Sequence, residues 1–304
     1  MTVALPYCAR FAGLDWTGDL PLDQFDAAPT AGPGAIAVCR QPATRITAPG
    51  LTVGRASITD AGVRFDCDDA ISFDLHGGTA VGWVPGPSWG GRLPVAFYSS
   101  VAAITLAMRG MLPLHASTVV LHGKAWLIAG NSGAGKSTLT AELVKAGAEL
   151  LADDLTPLTT TPQPLAWRGR PAMRLHPETC TNLAIEGLPE PTDDERGKLL
   201  VRPCARAADV GWPVGGILLL GRAMGEQVSP GEKALAYGSI LFRPRILTAL
   251  PNRARVRESL LALARTVPMV LLPEVRQFDA PSQTERVDRA LEAISRLSAK
   301  GTRA

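Results

Sequence analysis

The chain has 304 residues, 46% of them apolar and 19% charged, with 30 glycines and 25 prolines. That is a globular composition with many turns, large enough for two domains, and it excludes fibrous, low-complexity and disordered classes. A net charge of +3 creates no field that would gather nucleic acid or anionic lipid, so neither is expected as a partner.

Cys8, Cys39, Cys67, Cys180 and Cys204 are scattered and never form C-x-x-C, so they read as reduced thiols and not as a zinc site. No basic region followed by an apolar run opens the sequence, and its most apolar stretch, Val95 to Leu114, is broken by Arg109, Gly110 and Pro113. A cytoplasmic protein, neither exported nor inserted in a membrane, is expected.

Residues 1–93 read as a small β-rich domain. Short strand-like pieces at Ala35 to Cys39, Gly62 to Phe65, Ile71 to Leu75 and Thr79 to Val84 are separated by proline and glycine turns. Asp66, Asp68 and Asp69 read as a solvated acidic turn before they read as a cation site. From Pro94 to Arg109 the spacing predicts a bridging helix with Phe97, Val101, Ile104 and Met108 on one face, stopped by Gly110.

Two strands follow, His115 to Leu121 and Ala125 to Ala129, joined by a tight His122-Gly123-Lys124 turn. Next come a glycine-rich loop, a helix from Ser137 to Ala146 closed by Gly147, and a buried strand from Ala148 to Ala152 that ends at Asp153 and Asp154. Strand, loop, helix and strand alternate in the order of an α/β nucleotide-binding core. Farther on, Val214 to Leu220 and Pro268 to Leu272 read as strands. Arg253 to Thr266 and Ser282 to Leu297 read as helices, the last opened by a Ser282 to Glu285 capping box.

The loop Gly130-Asn131-Ser132-Gly133-Ala134-Gly135-Lys136-Ser137-Thr138 carries the full G-x-x-x-x-G-K-[ST] pattern between a strand and a helix. Its glycines permit unusual backbone angles and leave no Cβ in the way of a phosphate. Lys136 has the reach for β- and γ-phosphates, and the Ser137 hydroxyl suits magnesium. A nucleoside triphosphate with Mg2+ is therefore the expected ligand.

Asp153 and Asp154 stand where an open parallel sheet places its ligand crevice. One carboxylate there can organise magnesium and the other accept a proton from an attacking hydroxyl; the alternative is a capped turn without chemistry. By position alone His115 reads as a structural histidine, and His76, His122 and His176 have weaker cases. Three basic groups stand out: Arg168, Arg170 and Arg174; Arg196, Lys198 and Arg202; and Arg243, Arg245, Arg253, Arg255 and Arg257. One of them could steady the phosphate or the acceptor, although the helical arginines after Arg253 read more simply as a wet face.

The three motifs LPLHASTV, GNSGAGKST and LLADD, in that order and spacing, resemble the HPr kinase/phosphorylase superfamily from Leu112 to Leu272, including the tail LARTVPMVLLPEVRQFD. The resemblance implies a P-loop kinase core over residues 94–304, with ATP and Mg2+ as cofactors. It makes Lys136 the phosphate lysine and Ser137 a magnesium ligand, with Asp153 in the metal or water shell. Asp154 becomes the proton acceptor and His115 an active-site histidine.

Where the family carries a metal-ligand glutamate in a segment like E-I-R-G, this chain has Ala166-Trp167-Arg168-Gly169. Either Asp153 and water complete the shell, or the segment aligns elsewhere. The loop with which HPr kinases engage their protein is not recognisable in Gly221 to Gly238.

The layout is most similar to the HPr-kinase-like enzymes of lasso peptide biosynthesis. It implies a kinase acting on the C-terminal serine of a precursor peptide, possible assembly into a homo-oligomer, and no nucleic acid or membrane partner. An HPr(Ser)-type kinase/phosphorylase and a nucleotide-binding switch or assembly module are the alternatives.

Overall fold

The structure is a computed structural model that describes residues 5–47, 50–186, 188–189, 197–221, 230–273 and 280–301. It is mixed α/β, with several sheets and seven α-helices among the described residues. The chain divides into two compact units: Met1–Pro113 with Phe242–Glu258, and Leu114–Leu241 with Ser259–Ala304. No helix of the described residues is long and apolar enough to cross a membrane. All five cysteines are free thiols.

The first unit opens with strands β1 (Tyr7–Phe11), β2 (Leu14–Gly18), β3 (Asp26–Ala27), β4 (Ile36–Arg40), β5 (Leu51–Val53), β6 (Ala56–Thr59), β7 (Gly62–Cys67), β8 (Ile71–His76) and β9 (Ala80–Pro85). They form one nine-stranded sheet in the order β3-β1-β2-β4-β9-β8-β7-β6-β5. From β5 to β9 it is a meander of antiparallel hairpins, while β4 lies parallel to both β2 and β9. The alternation read in the sequence appears directly: Val63 and Phe65 turn inward on β7, and Arg64 and Asp66 turn out and pair with each other. Asp68, in the turn that follows, pairs with Arg55 on the surface, so this acidic cluster is a solvated turn.

An aromatic cluster fills much of the core of this unit. Phe11 stacks on Phe25 with centroids 4.3 Å apart, and Trp16, Phe73 and Tyr98 meet Phe25 or Phe97 in tilted or edge-on contacts. The Tyr98 hydroxyl donates to Asp23 at 2.6 Å and the Trp16 indole N–H to the Phe11 carbonyl at 3.4 Å, which satisfies the polar ends of the cluster.

Phe97 and Tyr98 open a helical segment that starts as a π-turn (Phe97–Val101) and continues as α1 (Ala102–Met108). The sequence predicted one apolar face here, but every residue from Phe97 to Ala107 is buried. A helix with small alanines on its remaining sides is covered all round, so the expected polar face does not exist. Gly110 stops it at φ +85°, donating to the Ala107 carbonyl while Met111 donates to that of Leu106, a glycine cap as expected.

The chain continues through β10 (Leu112–Leu114), β11 (Ala116–Leu121), β12 (Lys124–Gly130), α2 (Lys136–Lys145), β13 (Glu149–Ala152), β14 (Thr156–Thr159), β15 (Leu165–Ala166), β16 (Met173–Leu175), α3 (Pro177–Leu183), β17 (Leu188–Pro189), β18 (Leu199–Val201) and β19 (Trp212–Gly221). It ends with α4 (Pro230–Ser239), α5 (Pro244–Leu247), α6 (Arg253–Thr266), β20 (Met269–Pro273) and α7 (Ala280–Gly301). The last helix begins before Ser282, so the expected capping box does not open it. Arg196, the middle of the Gly221 to Gly238 segment and the end of the LARTVPMVLLPEVRQFD tail lie outside the described residues.

The main sheet of the second unit runs β14-β15-β19-β12-β11-β13, with β20 also paired to β19. Strands β12, β19 and β20 are parallel, as expected of an α/β core. β11 corrects the simple picture of an open parallel sheet: it lies between β12 and β13 and is antiparallel to both. Two reversals restore the direction, so β13 runs the same way as β12 and their carboxyl ends share one edge of the sheet.

The β11–β12 hairpin turns on His122 (φ +52°) and Gly123 (φ +70°). Positive φ at both central residues is the primed turn whose twist suits a two-residue hairpin. Helices α2 and α7 cover the sheet with a core that includes Trp126, Ile128, Leu139, Leu143, Leu218 and Ile294. A Cβ on Gly215 would come within 2.7 Å of the Trp126 ring, so glycine there makes room for the indole.

Between the two helices the buried Arg286 guanidinium grips both oxygens of the buried Glu142 carboxylate. A small three-stranded sheet, β16-β18-β17, packs with α3 against the other side of α2 through Met173, Leu175, Leu183 and Val201.

Candidate active site

Strand register brings the three motifs together. Ala116 pairs with Ala129 on β12, and Thr118 pairs with Ala152 on β13. Continuing each ladder toward the shared edge sets Gly130 opposite His115 on one side, and Asp153 and Asp154 opposite Ser117 and Ala116 on the other, one residue from His115. Neighbouring strands are about 4.8 Å apart, so residues distant in sequence meet within hydrogen-bond reach. The His115 backbone is itself fixed, because its N–H donates to the Ile240 carbonyl at 2.7 Å.

The glycine-rich loop leads from β12 into α2. Gly130 (φ +151°), Gly133 (φ +84°) and Gly135 (φ +89°) all adopt angles that disfavour a side chain. A Cβ on Gly130 would lie 2.7 Å from the Leu220 carbonyl oxygen, so that glycine is also required for packing on β19. Asn131, Ser132 and Ala134 complete the loop, with the Ala134 N–H donating to the Asn131 carbonyl at 3.1 Å. Gly135 caps α2 without any side-chain hydrogen bond, and no acidic residue stands in the first turn. The helix therefore offers its unpaired N–H groups and positive dipole end, with Thr138 in its first turn, to an anion.

Lys136 folds back on this loop, its Nζ donating to the carbonyls of Gly130 at 2.9 Å and Asn131 at 3.1 Å. Burial pushes the Lys136 ammonium down, opposed by the carboxylates of Asp154 and Asp153, and the balance is a lowered value. The site thus holds a cation that is poorly hydrated and has two carboxylates to answer it.

Asp153 is buried and accepts from three directions. The Ser117 hydroxyl donates to Oδ1 at 2.6 Å, the Ser137 hydroxyl to the same oxygen at 2.9 Å, and the Arg174 N–H to Oδ2 at 3.0 Å. Ser137 and Asp153, the expected magnesium pair, therefore meet directly. Among the described residues no group of three or more His, Cys, Asp and Glu side chains could cage a metal. A hydroxyl and one carboxylate fit Mg2+ nonetheless, because that ion keeps most of its water and takes few protein oxygens when phosphate is present.

Asp154 faces out of the same turn. Its backbone sits at φ +68°, and the Leu155 N–H donates to the Asp153 carbonyl at 2.8 Å, closing a tight γ-turn with Asp154 at its centre. This conformation costs roughly 1–3 kcal/mol for a residue with a Cβ, and it aims the carboxylate toward His115. His115 Nδ1 lies 3.2 Å from Oδ1 of Asp154 and 3.1 Å from its carbonyl oxygen, within donating distance of both. Burial raises the Asp154 carboxyl, but the hydrogen bond and charge of His115, with Arg170 and Arg174, outweigh it and hold the group well below the usual carboxylate range.

Of the basic groups singled out from the sequence, Arg170 and Arg174 thus act on Asp154. Gly169 donates its N–H to the Leu151 carbonyl at 2.9 Å and packs so tightly that a Cβ would lie 2.7 Å from that of Ala152. The segment after Ala166 therefore runs beside the end of β13, and Ala166 itself is buried in β15. Of the other histidines, His122 is in the hairpin turn, His176 precedes α3 and His76 ends β8, away from these contacts.

Ser117 lies within LPLHASTV but had no role read for it there; the two-residue period of a strand, which puts it on the same face as His115, is the signal that could have found it.

No protein-family model matches the chain, and no curated protein does. Among solved structures, the Hpr(Ser) kinase/phosphatase from Coxiella burnetii is similar to it at 17% identity and a TM-score of 0.27, over 39% of this chain and 71% of that one.

Proposed function

We propose that the chain is an ATP-dependent kinase that transfers the γ-phosphoryl group to a serine hydroxyl of a peptide. The observation that carries this reading is the Asp154–His115 pair, held at a strained turn on the same sheet edge as the glycine-rich loop. A loop of this kind alone serves many nucleotide hydrolases; an ionised carboxylate on the same sheet edge adds a place for an acceptor proton.

ATP supplies the transferable phosphoryl group, and Mg2+ offsets its charge. The α2 N-terminus and the loop N–H groups hold the phosphates, and Lys136 exchanges the Gly130 and Asn131 carbonyls for phosphate oxygens. Ser137 and Asp153 would hold the metal, while Ser117 and the Arg174 N–H keep the Asp153 carboxylate oriented. The acceptor oxygen forms its bond to phosphorus as the bond to the leaving diphosphate breaks, and its proton passes to Asp154. Held low, Asp154 is fully ionised at neutral pH and ready to accept, a positioning role suited to a transition state that asks little of a strong base.

The acceptor we infer is the C-terminal serine of a lasso precursor peptide, in keeping with the order LPLHASTV, GNSGAGKST and LLADD after a small β-rich domain. Incubation with γ-labelled ATP and peptides ending in serine or in alanine checks this. Label on the terminal serine alone is expected. If ATP binds but no seryl peptide is labelled, the kinase reading fails; labelling only at internal serines overturns the terminal acceptor.

A further inference from the structure

The first unit contains a cavity of about 800 Å3 that the kinase reading leaves unused. Thr52, Arg55, Phe65, Arg243, Arg245 and Ile246 are among the residues that line it. Among the described residues, three arginines and no carboxylate line this space. Arg55 pairs with Asp68 at the surface, and such exposed pairs contribute little. Arg243 reaches the buried Ser100 hydroxyl with its Nε at 3.0 Å, from a backbone held at φ +47°. Arg245 is exposed.

The rim of the cavity is a sheet edge. β5 ends the order of the nine-stranded sheet, and no described strand pairs with its outer side. The β5–β6 hairpin closes on Val53 and Ala56 around Gly54 (φ +59°) and Arg55, a two-residue turn whose closing pair is hydrogen-bonded. Pairs then alternate, so Thr52, opposite Ser57, turns its N–H and C=O outward. Leu51 beside it is 59% exposed. An open edge, apolar floor residues Phe65 and Ile246, and guanidinium groups converge on one place.

We propose that this edge and cavity bind an extended acidic peptide segment by strand addition to β5, with its carboxylates against Arg243 and Arg245 and alternate apolar side chains toward Phe65. The proposal rests on the peptide-kinase reading for its biological sense: the segment would be a part of the substrate remote from the phosphorylated serine. Its physics does not depend on the kinase site.

The test is fluorescence anisotropy of the full chain, without nucleotide, using a labelled peptide of alternating glutamate and valine. Saturable binding that weakens with salt is expected. A lysine–valine peptide should bind at least about tenfold more weakly, as should the acidic peptide with alternate backbone nitrogens methylated. Arg245→Glu, a surface change, should weaken the acidic peptide about tenfold and improve the lysine peptide.

Equal binding of the acidic and lysine peptides, or an unchanged affinity in Arg245→Glu with its melting intact, overturns the proposal. Undiminished binding of the methylated peptide removes strand addition. Single-stranded RNA that displaces the peptide with higher affinity would assign the surface to nucleic acid instead. Lys136→Ala should leave peptide affinity unchanged, so failure of phosphoryl transfer and failure of this proposal are separate results.

Discussion

The two units bury different things. Among the described residues the first hides one charged side chain, Asp74, which accepts from the Arg45 and Ile46 N–H groups; the second hides Lys136, Glu142, Asp153 and Arg170. Buried charge costs stability unless it is paired, so its concentration in one unit marks where structure serves chemistry rather than packing alone. Both units hold non-glycine residues at positive φ, Ala12, Asp68 and Arg243 in the first and His122, Asp154 and Ala184 in the second. Of these, Asp154 sits at the centre of a γ-turn that aims its carboxylate at His115.

Truncation should sharpen this contrast. Trp16→Ala empties the middle of the aromatic cluster and is expected to cost about 3–5 kcal/mol in urea unfolding. Glu142→Ala is expected to cost a similar ~3–5 kcal/mol because it takes the carboxylate away from the buried Arg286 guanidinium, whereas replacing both partners together with leucine should recover most of that loss. If the double replacement is as damaging as Glu142→Ala alone, the α2–α7 pair acts through shape and not through charge.

A smaller effect concerns pH. A carboxyl held below its unfolded value adds stability that is present above the ordinary carboxylate range and is lost as pH falls through the lowered folded value. His115→Ala removes the hydrogen bond and charge that hold Asp154 down. The acid-induced loss in this variant should therefore begin at higher pH than in the parent. Coincident acid unfolding curves would mean that His115 does not govern Asp154.

Much of this layout is legible along the chain because it depends on local chemistry. The glycines at 110 and 147 end helices in the left-handed conformation, α6 spans Arg253–Thr266 as its periodicity indicates, and the His122-Gly123 pair turns a hairpin. What local pattern cannot hold is order across a sheet. Nothing in the Ala148 to Ala152 run says that β13 pairs with β11 rather than β12, yet that pairing is what sets Asp154 against His115.

Ser117 and the Arg174 N–H escaped notice for the same reason, since each meets Asp153 only through tertiary register. The return of Phe242–Glu258 to the first unit, which supplies two cavity arginines, is likewise invisible to any local window. Burial of the Phe97 helix on all sides was hidden by its alanines, which fit a polar-looking face as readily as an apolar one.

The central claim is that Asp154 receives the proton of a serine acceptor beside nucleotide held on the glycine-rich loop. Its most direct test is labelled phosphoryl transfer to a seryl peptide by Asp154→Asn, with ATP affinity measured in parallel. The expected result is a loss of at least about a hundredfold in transfer with ATP affinity nearly unchanged. Transfer at the parent rate by a variant that still binds ATP would contradict it.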